Sequence, residues 1–223
     1  MNRMLQMLFF ALLVKPLVFI VLGLNLRGRN NLPEKGPAII AANHNSHLDT
    51  LVLMSLYPLR QLHKVRPVAA VDYFLTNPLL AWFALNCIGI IPLERKKRLA
   101  KTDLFSACHA ALDQGDILLI FPEGSRGNPE QISTIKKGIF HIVNERSDTY
   151  ITPVLMHGLG RALPKGEALL VPFNCDVVIA KALQKMASAN DMVSQLKSSY
   201  QDLQQYCVTL YTPKCDSDHP SHQ

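Results

Sequence analysis

The chain has 223 residues, the length of one domain and well past the roughly 50–60 residues at which core burial becomes marginal. Its 48% hydrophobic and 18% charged residues rule out disorder and point to a membrane contact, while five scattered cysteines with no CxxC pair rule out a disulfide-stapled mini-protein. The 23 Lys and Arg against 17 Asp and Glu leave a net charge of +6, which suits nucleic acid or an anionic membrane surface, depending on where the charge lies.

Met4 to Leu24 is apolar except for Gln6, Lys15, Pro16 and Gly23, and a helix of that length spans about 30 Å, enough to cross a bilayer. Lys15-Pro16 interrupts it with a charge and a lost backbone hydrogen bond. Two short apolar arms bent at Pro16 are therefore expected, seated in one leaflet as a monotopic anchor. A cleaved secretory signal and a buried core helix are the competing readings. No A-x-A-like cleavage site follows Leu24, and Arg27 and Arg29 come instead.

From Leu32 onward the pattern is that of alternating strands and helices. The turn at Pro33-Glu34-Lys35-Gly36-Pro37 leads into a buried strand, Ala38 to Ala42, and Asp49 to Leu56 reads as a helix stopped by Pro58. Pro67 to Val71 is a second strand, Leu79 to Cys87 a helix with Pro78 in its first turn, and Ile88 to Leu93 a third strand. Lys101 to Gln114 has helical periodicity and is closed by Gly115, and Ile117 to Phe121 is an unbroken apolar run of the kind buried on both faces of a parallel sheet. A helix over Gly138 to Val143, a strand over Ile151 to Met156 and strand-like runs within Ala168 to Ala180 follow. Asp191 is read as the cap of a last helix with Met192, Val193, Leu196, Tyr200 and Leu203 on its apolar face. The expected architecture is a single α/β domain, residues 31–212, with a mostly parallel central sheet flanked by helices, an N-terminal apolar helical membrane anchor over residues 1–30, and a polar tail over 213–223.

The densest polar cluster, Asn43-His44-Asn45-Ser46-His47-Leu48-Asp49, follows the first strand, where α/β folds place reactive groups. A carboxylate on Nδ1 of an imidazole fixes the tautomer and raises the basicity of Nε2, so His44 with Asp49 is a candidate for taking a proton from a hydroxyl. The same pair also suits a helix cap beside a surface histidine. A second cluster, Phe121-Pro122-Glu123-Gly124-Ser125-Arg126-Gly127, puts a carboxylate, a hydroxyl and a guanidinium on a glycine-flanked loop, where an arginine fork suits phosphate. Gly89 to Arg95 delivers another arginine at a strand end.

The ordered blocks N-H-x4-D (Asn43, His44, Asp49), G-x-I-P-x-x-R (Gly89 to Arg95), F-P-E-G-S-R (Phe121 to Arg126) and Ile151-Thr152-Pro153-Val154 resemble those of the glycerolipid acyltransferases, over about Leu32 to Ala180. The resemblance implies transfer of a fatty acyl group from acyl-CoA or acyl carrier protein to a hydroxyl of a lysophospholipid, 1-acylglycerol-3-phosphate or a related lysolipid. It makes His44 the general base and Asp49 its orienting partner. Arg95 and Arg126 would hold the acceptor phosphate, and Glu123, Gly124 and Ser125 would complete substrate binding. No acyl-enzyme, cofactor or metal is implied, and the partners are membrane lipid and the thioester carrier, at the cytoplasmic face of the inner membrane if the source is bacterial. Two departures stand out. The lysine that many such enzymes carry before the second block is absent from Ala69-Ala70-Val71-Asp72-Tyr73, and Ser125 replaces the commoner threonine.

The rival readings are a metal-dependent hydrolase and a non-catalytic lipid-binding protein. His44-x-x-His47-x-Asp49 does not have the HxHxDH spacing, and His63, His109, His141, His157, His219 and His222 stand in no ligand pattern. A serine hydrolase lacks its G-x-S-x-G elbow. The basic runs Arg95 to Arg98 and Lys136-Lys137 have no aromatic interleaving, so membrane phosphate is expected rather than nucleic acid. Trp82 and Phe83-Ala84-Leu85 read as core packing, with an acyl channel as the alternative.

Overall fold

The computed structural model describes residues 2–71, 77–94, 104–125, 127, 130–144, 146, 148–162, 174–183 and 186–210. Seven strands form one sheet: β1 (Gly23–Arg27), β2 (Ala38–Ala42), β3 (Val65–Ala70), β4 (Ile91–Leu93), β5 (Ile117–Ile120), β6 (Tyr150–His157) and β7 (Asn174–Ile179). Their order is β1-β7-β6-β2-β5-β3-β4, and every neighbouring pair is parallel except β6 with β7. The helices are α1 (Arg3–Val21), α2 (Asp49–Ser55), α3 (Pro78–Ile88), α4 (Ser106–Asp113), α5 (Gly138–Val143), α6 (Leu159–Ala162) and α7 (Ala189–Gln204).

The period-2 alternation of the strands divides the core between the two faces of the sheet. Ala38, Ile40 and Ala42 of β2 face α1 and α2, meeting Val14, Val18, Leu53 and Met54. Ile39 and Ala41 face the other way, onto α4, α5 and α7. Met192, Leu196, Tyr200 and Leu203 of α7 are buried there, each contributing about 1.5–3 kcal/mol if its burial is complete. The two faces make a helix–sheet–helix sandwich, the mostly parallel α/β architecture that the sequence predicts.

Several boundaries differ from the sequence reading. Gly23 to Arg27, within the expected anchor, form the edge strand β1 beside β7, so the sheet begins before residue 31. The apolar segment is one helix through Pro16, with π-type turns over Phe10–Val14 and Leu17–Val21 on either side of it. The wider i→i+5 bonding of those turns accommodates the proline's missing donor, so the two arms do not separate there. The strand expected from Ile88 starts only at Ile91, because α3 continues to Ile88 and Gly89, at φ +82°, turns the chain. Ser188, not Asp191, caps α7: its hydroxyl accepts from the Asp191 N–H, while Asp191 accepts from the Ala187 N–H. The expected 213–223 tail and Cys215 lie outside the described residues.

α1 packs one stripe, Gln6, Phe10, Val14 and Val18, into the body and turns the other outward. Its only interior charge is held by protein: Lys15 Nζ donates to the carbonyls of Ser55 and Tyr57 at 2.9 and 3.0 Å, just where α2 ends. A cation at a helix C-terminus is favourable on its own account. Gln6 Nε2 donates to Ile88 O at 3.0 Å, and Phe9 meets Phe83 edge-on, so α1 and α3 are joined side by side.

Candidate active site

Parallel strands bring their carboxyl ends to one rim, and β2 and β5 are neighbours, so the loops that follow them face each other. His44 stands just beyond β2, and Glu123, Gly124 and Ser125 just beyond β5.

Asp49 is the first residue of α2 and is fully buried. Its side chain folds back over the preceding turn, where Oδ2 accepts from the backbone N–H of Asn45 (2.7 Å) and Ser46 (2.8 Å) and lies 2.9 Å from His44 Nδ1. A single oxygen therefore both closes the turn before α2 and holds the imidazole. With a carboxylate on Nδ1, that nitrogen carries the proton and Nε2 presents a lone pair. The imidazole is stacked on Phe121, centroids 4.0 Å apart and planes inclined by 20°, which leaves it little freedom to rotate.

Glu123 is also buried, and both of its oxygens are engaged by backbone: Oε1 accepts from His44 N and Oε2 from Ser133 N, each at 2.9 Å. It ties the β2 loop to the segment after β5. Gly124 and Ser125, its chain neighbours, line the cavity instead. Gly124 has φ +75°, a left-handed conformation that an L side chain adopts only at a cost, and a Cβ there would lie 2.9 Å from Lys136 Nζ.

Asn43 and Asn45 supply restraints that sequence reasoning gave no role. Asn43 Oδ1 accepts from Met156 N (2.6 Å) while its Nδ2 donates to Met156 O (2.8 Å), so the side chain mimics a strand residue. Asn45 Nδ2 reaches the same carbonyl at 3.0 Å. Tyr200 of α7 donates to Ala41 O at 3.1 Å, bracing β2 from the opposite face. Two asparagines flanking a histidine were the available signal, but their partner is backbone far along the chain.

His44 opens on a cavity of about 480 Å³. Thr50, His47 and Ser125 supply polar walls near the imidazole, and Leu80, Phe83, Ala84 and Ile88 of α3 an apolar one. The Trp82–Leu85 stretch is thus not simply core. Phe83 and Ala84 line the cavity, while Trp82 and Leu85 face outward, Trp82 at 55% exposure. Arg95 and Arg126 lie outside the described residues.

Burial pushes the Cys108 and Cys175 thiols up to about 12, and does the same for Cys207 with help from the Asp176 carboxylate, so none of the three is a poised nucleophile. Among the described residues no group of three or more His, Cys, Asp and Glu is placed to hold a metal ion.

The family model described as Acyltransferase matches residues 23–157. The chain is 29% identical over 162 residues to the chloroplastic 1-acyl-sn-glycerol-3-phosphate acyltransferase LPAT1 of Arabidopsis thaliana, an alignment covering 72% of this chain and 43% of that protein. It is 26% identical over 155 residues to the human 1-acyl-sn-glycerol-3-phosphate acyltransferase alpha, covering 68% and 52%. The chain spans about half the length of these curated relatives. Among solved structures, the 1-acyl-sn-glycerophosphate (LPA) acyltransferase PlsC from Thermotoga maritima shares the fold, with a TM-score of 0.70 at 17% identity over 90% of this chain and 80% of that one.

Proposed function

We propose that this chain, which belongs to the acyltransferase family, moves a fatty acyl group from the thioester of acyl-CoA or acyl carrier protein to a hydroxyl of a lysophospholipid, 1-acylglycerol-3-phosphate or a close relative. The observation that carries the reading is the His44–Asp49 pair at 2.9 Å, with Nε2 uncommitted to Asp49, at the mouth of a largely apolar cavity. Relatives bearing the name of that activity support it.

His44 Nε2 takes the proton of the acceptor hydroxyl as its oxygen attacks the thioester carbonyl, and Asp49 steadies the imidazolium. The tetrahedral intermediate then collapses, the C–S bond breaks, and the departing sulfur takes the proton back from His44. A thiolate leaves readily, so no strong general acid and no cofactor is required. Glu123 acts through the His44 amide that it holds. Arg95 and Arg126 are assigned to the acceptor phosphate, and Gly124 and Ser125 to the wall beside it.

The acyl chain is assigned to the α3 side of the cavity, and the outward faces of α1 and α3 to a membrane surface. Leu12 (75% exposed), Ile20 (81%) and Leu79 (79%) are unusual on a surface that meets only water. α1 is long and apolar enough to cross a bilayer, but one stripe of it packs on the body, which favours lying in one leaflet. In a bacterium this would be the cytoplasmic face of the inner membrane, where both thioester carriers are found.

The test is acyl transfer by purified protein in lipid vesicles, with labelled acyl-CoA and acyl carrier protein against a panel of lysolipids, comparing wild type with His44→Ala. Transfer that disappears in the variant supports the reading, and undiminished turnover overturns it. Arg126→Ala should raise KM for phosphate-bearing acceptors more than it lowers kcat.

A further inference from the structure

His157, at the end of β6, is buried beside Met156, the residue whose backbone holds Asn43 and Asn45. Its Nδ1 lies 2.5 Å from Thr209 Oγ1, and its Nε2 lies 3.3 Å from Glu130 Oε2. Which group donates between this ring and Thr209 follows from counting donors.

The Thr209 hydroxyl has one proton, and Oγ1 sits 2.6 Å from Asp176 Oδ2, an oxygen that also accepts the Thr209 N–H at 2.8 Å. Asp176 is fully buried and accepts from Asn25 Nδ2 at its other oxygen. Burial alone would raise this carboxyl, but the hydrogen bonds from Thr209, Asn25 and Val208 outweigh it and hold it below the ordinary aspartate range, so Asp176 is an acceptor. The hydroxyl proton therefore goes to Asp176, and Nδ1 of His157 must donate to Oγ1. At the far side of the ring Nε2 faces the Glu130 carboxylate at 3.3 Å. The carboxylates facing this ring are Glu130 directly and Asp176 through Thr209, one from each side.

Glu130 is itself constrained. It has φ +62°, and its carboxylate accepts from Gly158 N (2.8 Å) and Gly160 N (3.1 Å) at the turn after β6. A non-glycine residue persists in that region only when its surroundings over-determine it. Glu130 follows the β5 loop and is bonded to the turn after β6, and Thr209, in the last described turn, Val208–Leu210, is bonded to Asp176 of β7, so the imidazole stands between two segments already anchored and adds a contact to each.

We propose that His157 is a positioning residue of the acyl-transfer site, its Nδ1–H donating to Thr209 and its Nε2 edge facing Glu130, and that this bridge fixes the end of β6 to which the His44 loop is tied through Met156. The inference rests on the acyl-transfer reading of that loop.

The experiment combines ring-nitrogen NMR of the histidine-labelled full chain with steady-state kinetics of wild type, His157→Gln, Thr209→Val and Thr209→Ser. Nδ1 of His157 is expected to carry a proton. His157→Gln and Thr209→Val are expected to lower kcat about tenfold while leaving KM for the acyl donor within about twofold, and Thr209→Ser, which keeps the acceptor oxygen, should restore kcat. If His157→Gln does not fold, the two Thr209 variants assign the ring signal and give the kinetic comparison. An unprotonated Nδ1 of His157 in wild type, or undiminished kcat in folded His157→Gln or Thr209→Val, overturns the proposal. Wild type without acyl transfer would instead overturn the acyl-transfer reading, because the NMR result does not depend on turnover.

Discussion

Asp49 Oδ2 holds the imidazole of His44 at 2.9 Å and, with the same oxygen, the amides of the two residues that follow it. Orientation of the imidazole and closure of its loop thus rest on one atom. Asp49→Asn keeps the shape but replaces a carboxylate by an amide that favours the wrong tautomer. It should lower kcat on the order of 10²–10⁴-fold with a smaller change in KM, and the remaining activity should not be restored by raising the pH. Steady-state kinetics across pH checks both points.

Gly124→Ala forces a side chain into a left-handed conformation, against the Lys136 ammonium end. A loss of roughly 1–2 kcal/mol in stability is expected, read from chemical denaturation. The activity loss should be larger than that destabilisation explains, because Gly124 and Ser125 line the cavity beside His44.

Asp176 makes stability depend on pH with a definite sign. Its folded-state affinity for protons lies below the ordinary value, through bonds from Thr209, Asn25 and Val208 that prevail over burial. Its contribution is therefore complete above the ordinary aspartate range and is lost as pH falls through the lower, folded-state value. Asp176→Asn should lower Tm at neutral pH, and the gap from wild type should close in strong acid. Thermal unfolding at a series of pH values is the measurement.

Trp82 is the single tryptophan of the chain and stands on the outward face of α3 beside Leu79. Its emission should shift to the blue on addition of anionic vesicles, and lipids brominated at shallow acyl positions should quench it more than those brominated near the bilayer centre. Quenching greatest at the centre would contradict placement in one leaflet.

What could be read from the residues divides along the range of the interactions. Local patterns located β2, β5 and α5, and the H-x4-D spacing foresaw the His44–Asp49 contact because both partners lie on one tight turn. β1 was hidden: Gly23-Leu24-Asn25-Leu26-Arg27 prolongs an apolar segment, and only β7, far along the chain, makes it a strand. The resemblance assigned Glu123 to substrate binding, and its two hydrogen-bond partners in the structure are amides, which leave no mark on residue identity. The clamp of Asn43 and Asn45 on Met156 was concealed for the same reason.

The loop after β2 has one further consequence for the chemistry. The amides of His44, Asn45 and Ser46 are all taken, the first by Glu123 and the next two by Asp49. Three consecutive N–H groups nearest the base are therefore closed to the carbonyl oxygen that becomes negative during attack. Thr50 and Ser125 line the cavity on which His44 opens. In the proposed reaction the donors for that oxygen would come from outside this turn, whose own amides are spent on holding it in shape.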